Sequence, residues 1–182
     1  MATQSVIVPI TMSFYFRIGF LTLVVLLVQL TIMDVYNFNM VHDNLLALLV
    51  IAVAFKVGPT KGATFGFITG LLYGLFTTTI FGSSALEFVL LGFVSGRVIN
   101  ISVIDQLLVK SVVAGILTSV AAVFVAIFLK LLNQATEIDA ETVNLILVNF
   151  VANTLLFLPM EKLTGSFISK QSNKNQGVNS SV

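Results

Sequence analysis

Six stretches of this chain are apolar, poor in charge, and close to the length that crosses a lipid bilayer. A spanning helix needs about 20 mostly apolar residues. The pattern predicts helices over Phe14 to Ile32, Asn44 to Phe55, Lys61 to Phe81, Ser84 to Ile104, Leu107 to Leu132 and Val143 to Leu158, the last closing at Pro159. The second is short and must borrow its flanks. The fifth is the longest and is expected to tilt. Hydrophobic residues fill 57% of the 182 positions and charged ones only 9%, against about 25% charged in ordinary soluble domains. A soluble domain of this size has too little interior to hide so much apolar surface. The expected fold is therefore all-α: a polytopic integral membrane protein with six transmembrane helices. Residues 1–163 form the helical domain, and the polar run at 164–182 is expected to be a disordered cytoplasmic tail.

Charge orients the spans, because basic residues favour the cytoplasmic side. Arg17 opens the first helix, and Lys56 and Lys61 lie between the second and third. Arg97 and Lys110 flank the fourth-to-fifth connection, and Lys162, Lys170 and Lys174 follow the sixth. The alternate connections carry Asp34 and Asp43, then only Thr, Gly and Ser, then Glu137, Asp139 and Glu141. Lys130 alone breaks the alternation, and a lysine at a helix end can snorkel. Six helices with both termini in the cytoplasm fit this pattern. The start of the chain lacks the charge and cleavage pattern of a signal peptide, so the first helix is expected to be retained.

Within the third helix a glycine recurs every fourth position, at Gly58, Gly62, Gly66, Gly70 and Gly74. Positions four apart stack on one flank of a helix. Each glycine costs about 1 kcal/mol relative to alanine in a helix interior. Small residues at that spacing let a second helix approach closely in a bilayer. Gly58 precedes Pro59, which suits a helix's first turn, so Gly58 is expected in a turn and Gly62 to Gly74 in the packing surface. A step of four drifts about 40° on a helix of 3.6 residues per turn. The row therefore winds wide enough for two neighbours, and the third helix is expected at the centre of an assembly. Gly92 and Gly96 sit in the fourth helix as its natural partner. The surface left over is expected to receive the transmembrane helix of another protein.

Chemistry-bearing residues are few. A net charge of +1 argues against a nucleic-acid partner, which would need a basic face. No cysteine is present, which excludes thiolate sites. The GPTKG run lacks the spacing of a phosphate-cradling loop. Nothing assembles into a nucleophile and base, so no enzyme activity, metal or cofactor is expected. His42 beside Asp43 reads as a solvated loop residue. Glu87 has two readings: a functional intramembrane carboxylate, or a first-turn acid favoured by the helix dipole. Arg97 reads as a topology anchor. Asn149 and Asn153, four apart on the sixth helix, read as interhelical glue, with a small polar pocket as the alternative.

The order of these features resembles the MreD family of bacterial rod-shape-determining membrane proteins. The likeness runs through LVVLLVQLTIMDVYNF with its late Gln29 and through HDNLLALLVIAVAFKVGPTKG. It is most specific in GFITGLLYGLFTTTIFGSSALEFVLLGFVSGRV, and it ends in NFVANTLLFLPMEKL. The chain departs from that pattern where Gly74 stands in place of a usual aspartate, and where Glu87 replaces a usually apolar residue. The resemblance implies a non-enzymatic scaffold in the bacterial cytoplasmic (inner) membrane. It would work with an MreC-like bitopic protein, the MreB filament, and the polymerase and transpeptidase of cell-wall elongation, supporting peptidoglycan synthesis. The six-helix plan is also similar to the substrate-binding S components of energy-coupling-factor vitamin transporters, which supplies a rival reading. The first helix here lacks their alanine-rich motif, and no tryptophan is available for a vitamin pocket.

Overall fold

The computed structural model describes residues 12–36, 44–77, 82–99, 106–131 and 140–169. These residues form six helices and no strand: α1 (Met12–Tyr36), α2 (Asn44–Val57), α3 (Pro59–Phe76), α4 (Ser83–Val98), α5 (Leu107–Leu131) and α6 (Ala140–Ser169). The helices lie where apolar periodicity put them, but three of the ends shift substantially. α3 stops at Phe76 and α4 at Val98, both short of the expected termini. α6 does not close at Pro159; it runs ten residues further, to Ser169. Proline removes one N–H and crowds the carbonyl four residues before it. The turns beyond it are held by packing: Met160 and Thr164 are buried, and the Thr164 hydroxyl bonds back to the Met160 carbonyl. The expected border at residue 163 thus falls inside a helix. Residues 170–182, His42 and the loop acids at 43, 137 and 139 lie outside the described residues.

The centre of the bundle is α2, not the glycine helix. Every residue from Leu46 to Ala54 is at most 3% exposed, and α2 packs against each of the other helices. A helix apolar all round is a buried one. α3 instead keeps an outward face of Phe67, Ile68, Leu72, Leu75 and Phe76. Two antiparallel pairs flank the centre. In α3 and α4, Gly62 lies against Gly92, and Gly70 against Ala85. In α5 and α6, Lys110 approaches Glu161, and Gly115 lies against Phe150 and Thr154. Phe55 of α2 meets Phe157 of α6 edge to face, with ring centroids 5.8 Å apart.

Polarity is inverted relative to a soluble domain. Gln29, Thr69, Ser95, Thr118, Asn153 and Thr164 are buried, while large apolar side chains cover the outside of every helix but α2. Phe16 is 81% exposed and Leu155 62%. Contiguous apolar surface on that scale marks a face made for lipid or for another protein. Among the described residues, two segments are long and apolar enough to cross a membrane, Leu107–Phe124 and Ile146–Ser166, with shorter apolar helices at Phe16–Thr31 and Leu45–Val57.

Candidate functional site

The α3–α4 seam is built from missing side chains. Gly58 starts it in a left-handed backbone conformation, φ 86°, which only glycine adopts without strain. Pro59 then fills the first helical position, where its absent N–H costs nothing. From there Gly62, Gly66 and Gly70 turn toward α4. A Cβ on Gly62 would stand 2.7 Å from the Gly92 carbonyl oxygen and 2.6 Å from the Ala54 Cβ of α2. One on Gly66 would collide with the Phe88 carbonyl, its carbon 2.6 Å away. One on Gly70 would lie 2.5 Å from the Ala85 Cα. The partner helix answers in kind: Cβ atoms on Gly92 and Gly96 would meet Gly62 and the Gly58–Pro59 backbone at 2.6 Å. Backbone therefore rests on backbone along the whole pair. Tyr73 and Phe88 fill the core beside it, their rings 6.2 Å apart.

Gly74 departs from the row. Among the described residues nothing lies within 4 Å of its Cβ position, although Gly74 is buried. The winding expected from four-residue steps has carried it off the α4 contact. Gly62, Gly66, Gly70, Gly92 and Gly96 are thus occupied within this chain, and α2 is the second neighbour of the row through Ala54. The glycines leave no free docking groove between Gly62 and Gly70.

A polar seam joins α5 and α6. Asn153, 1% exposed, donates from Nδ2 to the Thr118 hydroxyl at 2.9 Å. Thr118 in turn donates to the Ala114 and Gly115 carbonyls, both at 3.0 Å. Gly115 leaves room for Thr154. Asn149 is buried one turn away, and Asn144 is exposed. The Oδ1 of Asn153 has no hydrogen-bond partner among the described residues. Glu87 is half-buried near the start of α4. Arg97 is exposed at the end of that helix.

Two arrangements escape the sequence reading. Lys56, in the last turn of α2, donates to Glu161 Oε1 at 2.7 Å, and Lys110 of α5 approaches the same oxygen at 3.9 Å. One carboxylate thereby ties three helices at one end of the bundle. Hydropathy sees Glu161 only as the exit from a span; its signal was an acid standing directly before the basic run Lys162, Lys170 and Lys174. Gln29 of α1 accepts the Leu46 N–H at 3.0 Å, capping α2 from another helix. The first turn of a helix leaves N–H groups unpaired, and α2 starts inside the bundle, so the cap must come from a neighbour.

Taken together, the seams and the apolar exterior define a class: an all-α bundle of membrane-protein character, organised by helix packing. No curated protein and no solved structure matches the chain. Residues 11–167 match the family described as rod shape-determining protein MreD, and the chain belongs to that family. The family is a structural one of membrane proteins concerned with rod shape.

Proposed function

We propose that this chain is a multi-pass scaffold subunit of the bacterial inner membrane, working in the cell-elongation machinery. It binds an MreC-like bitopic protein and, through it, supports peptidoglycan synthesis. Family membership gives the process. The observation that carries the scaffold reading is the contrast between interior and exterior. Glycine and asparagine seams consume the polar and small-residue surface internally, and the outer face of α3 remains wholly apolar from Phe67 to Phe76. A rigid bundle with an apolar flank suits capture of a single transmembrane helix. The one-ended basic residues support six spans with cytoplasmic termini.

Cysteine cross-linking tests this, since the natural chain has no cysteine. Single cysteines at Phe67, Leu75, Leu23 and Ile116 are paired with a cysteine in the partner's transmembrane helix. Cross-links from the α3 positions alone are expected. Absence of cross-links from every face, with both proteins in the membrane, refutes the reading. Nanomolar binding of a vitamin by the purified protein would replace it with the S-component reading.

A further inference from the structure

We propose that the basic end of the bundle selects anionic phospholipid, with Lys61 and Arg97 as the principal headgroup contacts. Helix directions bring Arg17, Lys56, Lys61, Arg97, Lys110 and Lys162 to one end, and leave Lys130 at the other. The acid at that end among the described residues is Glu161, and it is already engaged by Lys56. Among the described residues, six cations against this one anion leave an excess of five positive charges at that end. Lys61, Arg97 and Lys162 are exposed, whereas Lys56 and Lys110 are held half-buried toward Glu161. Gly96 rests on the Gly58–Pro59 backbone. That contact brings the last turn of α4, with Arg97, beside the first turn of α3, with Lys61.

The surroundings decide what kind of anion fits. Two of the three exposed cations have a large apolar neighbour that is also exposed: Phe93 one turn before Arg97, and Leu163 beside Lys162. Phe16, beside the half-buried Arg17, is more exposed still. An acidic protein segment would satisfy the charges and leave those side chains in water. A phospholipid offers a phosphate and an acyl chain in one molecule, at the spacing of a headgroup above hydrocarbon. Basic residues near an anionic membrane surface contribute about fivefold in affinity each.

The test uses the full chain reconstituted in phosphatidylcholine vesicles. Spin-labelled phosphatidylglycerol and spin-labelled phosphatidylcholine are compared for association with the protein by electron spin resonance. A severalfold preference for phosphatidylglycerol is expected. The K61Q/R97Q pair brings the ratio toward one, while K130Q leaves it unchanged. The charge-keeping K61R/R97K pair retains the preference, which a merely structural effect would not allow. A ratio near one in the natural protein overturns the proposal. So does an unchanged ratio in K61Q/R97Q, an equal loss in K130Q, or displacement by millimolar inorganic phosphate, which would mark a free-anion site. The proposal rests on the bundle being lipid-embedded. Failure to float with the vesicles overturns that reading too, whereas flotation without preference overturns the proposal alone.

Discussion

Replacing Gly66 by alanine puts a methyl group where the backbone of α4 already lies. The new Cβ would stand 2.6 Å from the Phe88 carbonyl carbon, closer still to its oxygen, and 3.2 Å from the Val89 nitrogen. Ordinary van der Waals contact begins near 3.4 Å, so the carbonyl carbon alone is too close by about 0.8 Å (3.4 against 2.6). The obstacles are backbone atoms, which no rotamer change can move. α3 and α4 must separate, and the seam above and below, at Gly62 and Gly70, opens with them. Overpacking of this kind costs about 1–3 kcal/mol, occasionally more. The alanine recovers about 1 kcal/mol of helix propensity, so a net loss of up to about 2 kcal/mol is expected. Gly74→Ala is the matched control. It gains the same propensity, and its methyl group meets none of the described residues within 4 Å. Its stability should be unchanged or raised by up to about 1 kcal/mol. Helicity followed by circular dichroism during titration of mixed micelles with a denaturing detergent measures both. Equal stability of the two variants would refute the seam argument.

Three further perturbations probe the remaining contacts. Glu161→Gln leaves Lys56 and Lys110 without their shared carboxylate and should cost about 1–3 kcal/mol, below the range for a fully buried pair because both partners keep some exposure. A double-mutant cycle with Lys56→Gln should show coupling; purely additive effects would mean the pair contributes nothing. Asn153→Ala should cost about 1 kcal/mol through the lost Thr118 bond, and much less in a Thr118→Val background. Gln29→Leu removes the cap on α2 and should cost about 1 kcal/mol, read as faster hydrogen exchange at the Leu46 amide. Unchanged exchange there would count against the cap.

Much of this architecture was legible because it is local. Apolar runs of helix length mark helices whatever surrounds them. The glycine row is a property of one helix, though its spacing put Gly74 in the packing surface, where the structure gives its Cβ position no neighbour among the described residues. The Gly58–Pro59 pair announces its turn by backbone chemistry alone. What stayed hidden was relational. Asn153 was readable as a hydrogen-bonding residue, but its partner Thr118 lies 35 positions away. Lys56 looked like a topology marker because its counter-ion stands 105 positions further on. Pro159 looked like a helix end because proline usually is one; burial of Met160 and Thr164 overrode that preference.

By itself, then, the sequence determined the solvent class, the six helices, and the flank on which α3 meets a neighbour closely. Only the tertiary structure decided that α2 occupies the middle, that α4 and α2 use up Gly62 to Gly70, and that Glu161 joins three helices. The physical reason is the inverted polarity. Where the exterior is as apolar as the core, hydropathy no longer separates a buried helix from an exposed one. Leu49, fully buried, and Leu155, 62% exposed, are the same residue to any hydropathy scale. Inside and outside are then set by shape and by a handful of polar contacts, and those depend on partners far away along the chain.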